Sequence, residues 1–100
     1  MKSKRSKACD ITQAVKKKVW ERDNGQCIIC HSPYAMPNAH FIPRSKGGLG
    51  IEQNIVTLCQ NCHHNFDNTS QRLYYYTYVK DYLQVKYGAE WNEEKLIYKK

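Results

Sequence analysis

The architecture of this chain depends on two cysteine pairs of identical spacing, Cys27-Ile28-Ile29-Cys30 and Cys59-Gln60-Asn61-Cys62. Thiolates on either side of a two-residue spacer reach one tetrahedral ion, because a tight turn lets neighbouring amides support both sulfurs. Two such pairs predict a closed four-cysteine zinc site that joins segments distant in sequence. The stretch between them, residues 31–58, is longer than in common zinc ribbons and must form a sub-structure of its own.

Other cysteine chemistries compete with zinc. Disulfides need an oxidising compartment, and a redox Cys-x-x-Cys normally occurs once, beside a βαβ pattern that this sequence lacks. Each pair is followed by a histidine, His31 and His63, and so also spells a c-type haem attachment motif, which would require export. Structural zinc is the preferred interpretation. The fifth cysteine, Cys9, is predicted to be a spare thiol.

The composition predicts one small basic domain. A chain of 100 residues is limited to a single domain and benefits from a metal staple. The net charge of +7 is concentrated in residues 1–22, which favours contact with nucleic acid, although a lysine-rich tail can serve solubility alone. No apolar run is long enough for a membrane span, and the N-terminus has no signal-peptide pattern, so a cytoplasmic protein is predicted.

The first third of the chain predicts an arm and an entry helix, followed by an irregular centre. Residues 1–8 lack apolar periodicity and are predicted to be a disordered basic arm. Asp10, with Gln13, is predicted to cap a helix that ends at the Asp23-Asn24-Gly25 turn. Short strands are predicted at Cys27–Cys30, Ala39–Ile42 and Ile55–Leu58, and the next helix is predicted to start at His63.

Helical spacing returns over residues 70–87, with Gly88 as its end. The apolar face is formed by Leu73, Tyr76, Val79, Leu83 and Tyr87, and the tyrosine cluster is assigned to packing rather than to base stacking. Asn92 is predicted to cap a last short helix. The expected fold is therefore a small α+β domain over residues 9–100, with a zinc-clamped core at 27–67 and a helical cover at 70–99.

The segment between and after the cysteine pairs carries a further motif. It contains Asn38-Ala39-His40-Phe41-Ile42-Pro43-Arg44-Ser45-Lys46, then Asn54-Ile55-Val56-Thr57-Leu58, then the second pair with His63. The order His40, Asn54, His63, interleaved with the cysteine pairs, resembles the HNH endonucleases. This ββα-metal, or His-Me finger, family includes members with a four-cysteine zinc site that are common in phages and mobile elements. The resemblance runs from Cys27 to Asp67.

The resemblance implies a role for each of these residues. His40 would be the general base that deprotonates water, a task that suits neutral imidazole with its reference pKa of ~6.5. His63 and Asp67 share a helix face and would hold a catalytic divalent ion (Mg²⁺, Mn²⁺ or Ni²⁺) that stabilises the leaving oxygen. Asn54 would fix the loop opposite His40. Arg44 and Lys46 are candidates for holding the flanking phosphates of DNA.

One position departs from the family pattern. Many members place a His or Asp metal ligand just before the base, where this sequence has Ala39. The ion would then be held by two side chains, water and substrate phosphate, which magnesium-like ions tolerate. The preferred function is a metal-dependent DNA endonuclease with structural zinc, and the alternative is an inactive zinc-stabilised module that binds nucleic acid. DNA is the expected partner. Other phage or mobile-element proteins are further candidates, and the host cytoplasm is the expected location if a phage encodes the chain.

Overall fold

The N-terminal arm is helical, contrary to the expected disorder. The computed structural model describes residues 3–68 and 70–99, and in it helix α1 spans Lys4–Cys9, with the Ser3 hydroxyl accepting a hydrogen bond from the Ser6 amide. The Gly50 amide donates to the Ala8 carbonyl at 3.0 Å. The prediction of a disordered arm over residues 1–8 is therefore wrong for Lys4 onward, because hydrogen bonds to a distant loop order the segment. Residues 1 and 2 lie outside the described residues.

Helix α2 spans Gln13–Arg22 and begins later than the sequence suggests. Its cap is Thr12, whose hydroxyl accepts from the Val15 amide at 3.2 Å, so the capping role assigned to Asp10 is wrong. Asp10 instead forms an ion pair with Arg44. The expected stop is confirmed, since Asn24 and Gly25 both adopt positive φ after the helix.

The sheet consists of two antiparallel strands, β1 (Ala35–His40) and β2 (Ile55–Cys59). His40 pairs with Ile55, and the register shifts between Met36 and Ala39. Every residue of β2 is buried, which makes it the central element of the core. Residues 27–30 form a turn and not the expected strand, because their backbone groups close a loop around the cysteines.

Two helices complete the domain. Helix α3 (Gln60–Asn68) follows β2 directly and starts three residues before the expected His63, while helix α4 spans Arg72–Tyr87. Val79 and Leu83 of α4 are fully buried, as the helical spacing predicts. Leu73 is 75% exposed, and its assignment to the packed face is wrong, since core contacts of α4 begin with the tyrosines that follow.

The tyrosines of α4 pack as predicted. The Tyr76 ring stacks on Phe41 with centroids 4.8 Å apart, and Phe41 also contacts the ring of Trp91. The Tyr78 hydroxyl donates to the Ile28 carbonyl in the first cysteine loop. Helix α4 is thereby joined to both the sheet and the cysteine loop. Tyr74 is the exception, with its side chain exposed.

A buried ion pair that the sequence does not reveal links three elements. Asp23 accepts from the Arg22 guanidinium at 2.7 and 3.0 Å, from the Tyr82 hydroxyl at 2.6 Å, and from the Thr57 amide at 2.9 Å. Arg22 also donates to the Ile55 carbonyl. Burial opposes the positive charge of Arg22, but the hydrogen bonds and the charge of Asp23 outweigh this effect and raise the pKa of Arg22. This Arg22–Asp23 network holds α2, β2 and α4 together.

The C-terminal residues return to the glycine-containing loop before β2. A 3-10 helix at Glu93–Leu96 is capped by the Asn92 side chain, as expected. The Tyr98 amide then donates to the Gly47 carbonyl at 2.8 Å.

The radius of gyration is 12.9 Å, close to the ~13 Å of a 100-residue domain. The α+β class is confirmed. Within residues 3–68 and 70–99, each helix is too short or too polar to span a lipid bilayer.

Candidate metal centre and active site

The two cysteine pairs converge on one point. The sulfurs of Cys27, Cys30, Cys59 and Cys62 all lie within 4.8 Å of one another. The Cys30 and Cys59 sulfurs are 3.5 Å apart, near the roughly 3.8 Å edge of a tetrahedron with ~2.3 Å Zn–S bonds. This donor set fits a structural metal, with zinc the ion it suits best. Because both pairs share one centre, they do not form two separate haem attachment sites.

The backbone of the first cysteine loop is arranged to stabilise a thiolate. The Cys27 amide donates to the Ser32 carbonyl at 2.9 Å, and His31, at φ 65°, closes the loop by donating to the Cys27 carbonyl. Burial raises the pKa of the Cys27 thiol, but the amides of Cys30, Cys59 and Ile29 outweigh this effect and bring the pKa below its ordinary value. Thiolate is the form that binds metal.

The remaining cysteine is separate from this centre. Cys9 is 2% exposed and is not part of the sulfur cluster. Its side chain therefore belongs to the apolar interior near the end of α1.

His40 ends strand β1 and is held by a backbone carbonyl. Its Nε2 lies 2.9 Å from the carbonyl oxygen of Cys9. A carbonyl only accepts, so Nε2 carries the proton, and the neutral ring presents the lone pair of Nδ1. Burial lowers the pKa of His40, and the charge of Arg44 lowers it further; together they outweigh the hydrogen bond to the Cys9 carbonyl, which acts in the opposite direction. The ring is thus kept neutral around physiological pH, with Nδ1 as its basic atom.

Asn54 is fully buried beneath the loop that follows β1. Its Oδ1 accepts from the Ile42 amide at 2.8 Å, while its Nδ2 donates to the carbonyls of Ile42 and Leu49 at 3.1 and 2.8 Å. The Asn54 carbonyl accepts from the Phe41 amide at 2.8 Å. One side chain and its backbone therefore fix the chain immediately after His40.

His63 and Asp67 lie one turn apart on α3. Their Nε2 and Oδ2 atoms are 3.2 Å apart, and both side chains are partly exposed. Across the described residues, no third His, Cys, Asp or Glu joins them in a ligand cluster. Ala39 adds none, since its side chain is 2% exposed and lies in the core. An ion at this pair would complete its coordination with water and phosphate oxygens.

The two basic candidates have different surroundings. Arg44 Nη2 lies 2.9 Å from Asp10 Oδ1, so its guanidinium is engaged by the chain's own N-terminal segment. Lys46 is exposed and lines, together with Lys4 and Arg5 of α1, an open cleft of about 430 Å³. The sequence could not place α1 here, because the arm carries no apolar pattern that predicts docking.

A second depression lies beside His63. Tyr34 and Met36 line a cavity of about 280 Å³ with His63. Their side chains are 88% and 59% exposed. Two kinds of group near the candidate site could not be found from the sequence. One is backbone atoms such as the Cys9 carbonyl, and the other is exposed apolar side chains such as Tyr34 and Met36, which follow no helical or strand periodicity.

Comparison with known proteins agrees with the motif. Residues 27–74 match the family model of the HNH endonucleases, which confirms the resemblance indicated by His40, Asn54 and His63. The chain is also 40% identical over 48 residues to Anaredoxin of Nostoc sp. (strain PCC 7120). That alignment covers 47% of this chain and 63% of Anaredoxin, so less than two thirds of that relative's length is matched.

Proposed function

Since residues 27–74 match the HNH endonucleases, a nuclease-type function is indicated, and we propose that this protein is a metal-dependent DNA endonuclease. The observation that carries the proposal is the His40 ring, whose Nε2 is occupied by the Cys9 carbonyl and whose Nδ1 is left as a base. The lowered pKa keeps that base in its neutral form. A divalent cation held by His63 and Asp67 would supply Lewis-acid stabilisation of the leaving oxygen.

The proposed reaction is hydrolysis of a phosphodiester bond. Nδ1 of His40 takes a proton from water as the water oxygen bonds to phosphorus, and the bond from phosphorus to the 3′ oxygen breaks. The 3′ oxygen leaves with a proton from solvent, and by family analogy the products carry 5′-phosphate and 3′-hydroxyl ends. Asn54 acts as a positioning residue, because it fixes the loop that begins after His40.

Phosphate binding is proposed for the basic cleft of Lys4, Arg5 and Lys46. Three cations along one open surface suit a polyanion better than a single guanidinium does. Arg44 is given a smaller role in this proposal, since its Nη2 already lies 2.9 Å from Asp10 Oδ1. Salt would therefore weaken binding steeply.

The test is nicking of supercoiled plasmid with Mg²⁺, Mn²⁺ or Ni²⁺. Replacing His40 by Ala should lower the rate by about 10²–10⁴-fold, the range for loss of a general base. His64→Ala is the matched control, since His64 is an exposed histidine on the same helix as His63. Equal nicking by wild type and the His40 variant would reject the assignment of the base.

A second candidate is an inactive zinc-stabilised module that binds nucleic acid. It is favoured by Ala39, which lies in the core and has no ligand atom in its side chain. The His63–Asp67 pair therefore lacks a third protein ligand among the described residues. Salt-sensitive DNA binding with no cleavage under any of the three ions would support it. Cleavage that depends on His40 and on Asp67 would exclude it.

A further inference from the structure

We propose that the Ala8–Asp10 segment is a positioning element of the active site, with the Cys9 carbonyl selecting the tautomer of His40. This inference rests on the proposed function of His40 as a base. It extends the site beyond the segment that matches the family, because Cys9 precedes residue 27. The assignment concerns a backbone atom, and the thiol of Cys9 takes no part in it.

Contacts on several sides fix the position of this carbonyl. The Gly50 amide donates to the Ala8 carbonyl at 3.0 Å. Gly50 itself lies against the segment so closely that a Cβ at this position would be 2.0 Å from the Asp10 carbonyl oxygen. The loop bearing Gly50 therefore holds residues 8–10 by one hydrogen bond and by direct backbone contact.

Side chains add a second attachment. Arg44 Nη2 lies 2.9 Å from Asp10 Oδ1, and Arg5 Nη2 donates to the Ser45 carbonyl at 3.0 Å. Because Arg44 and Ser45 follow β1 by only a few residues, these contacts join the arm to the loop next to His40. The arm is consequently held against the loop that follows the base.

The chemical consequence follows from the acceptor. A carbonyl facing Nε2 favours the ring form with hydrogen on Nε2, which leaves the lone pair on Nδ1. If the carbonyl moves away, the ring gains rotational freedom and populates both neutral tautomers. Only a fraction of molecules then presents the reactive nitrogen, so turnover falls while affinity for DNA is retained.

Gly50→Ala in the full-length, zinc-loaded protein tests this inference directly. The new methyl group must displace the Asp10 carbonyl, and we expect kcat to fall at least tenfold with KM for plasmid DNA changed less than twofold. ¹⁵N shifts of the His40 ring, measured without the divalent ion, should report a single Nε2–H tautomer in the wild type. In the variant they should report a mixture.

Arg5→Ala and Lys4→Ala form a charge-matched pair for the case in which Gly50→Ala fails to fold, judged by zinc content and circular dichroism. Both remove one α1 cation, so a similar rise in KM is expected, but only Arg5→Ala loses the bond to Ser45 and should lower kcat. Equal kcat in the pair, or a wild-type ring with hydrogen on Nδ1, would overturn the inference. A tautomer shift without nuclease activity in any form would support the positioning and reject the proposed function.

Discussion

Asn54 shows at the scale of one residue how a buried amide constrains the loop that follows β1. It makes three hydrogen bonds with backbone groups of Ile42 and Leu49, and its side chain is inaccessible to solvent. Nothing else on that side chain is available to substrate. The contribution to catalysis that we propose for Asn54 therefore acts through the loop after His40.

Replacing Asn54 by Ala should lower both stability and activity. The change leaves one amide and two carbonyls without their partner, and each costs about 1–3 kcal/mol while it stays buried, so the loss should be at least about 3 kcal/mol. Urea unfolding measures the stability loss, and plasmid nicking measures the loss of rate. Asn54→Asp is the informative companion, since it keeps the acceptor for Ile42 but loses both donated bonds. A stable but inactive Asn54→Ala protein would mean that the amide contacts substrate.

The pH dependence of activity follows from the surroundings of His40. Burial comes first among the causes that lower its pKa, and the charge of Arg44 adds to it. The neutral ring is the proposed base, so activity should fall as pH decreases through this pKa. We expect the acidic limb of kcat/KM to lie below pH 6.5, the unperturbed value. Arg44→Gln should move that limb upward. A limb above 6.5 in the wild type would contradict the assignment.

At the scale of elements, the cysteine loops supply the geometry that the short strands lack. A two-stranded sheet is at best marginally stable alone, and here a turn at 27–30 and the start of α3 are tied together at the end of β2. The metal centre thus orients α3, which carries His63 and Asp67, relative to the strand that carries His40. The four-cysteine site and the proposed catalytic ion site are separate, and helix α3 connects them.

Cys27→Ser should abolish stoichiometric zinc binding and unfold the core. Folding of small zinc domains is coupled to metal binding, and Cys27 is fully buried among amides that favour its thiolate. Zinc content by mass spectrometry and the near-ultraviolet dichroism of the tyrosines are the measurements. Cys9→Ala is the control, because Cys9 is equally buried but lies outside the cluster. If both variants retained one zinc per chain, the four-cysteine site would be refuted.

At the scale of the whole molecule, the Arg22–Asp23 network connects helix α2, strand β2 and helix α4. Asp23 is inaccessible and accepts from residues of all three elements. Removing its carboxylate would leave the Arg22 charge buried without its counter-ion. Such unpaired charges are among the costliest defects in a folded protein.

Asp23→Ala should therefore lower the free energy of unfolding by about 3–5 kcal/mol. Glu21→Ala is the control on the same helix, and as an exposed position it should change stability by no more than about 0.5 kcal/mol. Denaturant unfolding of zinc-loaded protein compares the two. A similar, small effect of both substitutions would show that the network contributes little.

The sequence predicted what depends on local chemistry and missed what depends on distant partners. Cysteine spacing predicted the metal cluster, and helical spacing predicted the buried face of Val79 and Leu83. The order of α1 was missed because its contacts are with residues distant in sequence, such as the Gly50 amide and the Ser45 carbonyl, and these contacts leave no pattern in the arm. The Arg22–Asp23 pair was missed because adjacent charges next to a turn ordinarily face solvent.

The position of the Cys9 carbonyl has a practical consequence for dividing the chain. A fragment trimmed to residues 27–74 would keep His40, Asn54, all four clustered thiols and the His63–Asp67 pair. It would lack the Cys9 carbonyl that faces the His40 ring and the Arg22 guanidinium that donates to the Ile55 carbonyl at the start of β2. It would also lack most of helix α4, which covers the core. The segment that matches the family model is thus smaller than the set of residues that these contacts join, and expression trials should begin from the full chain.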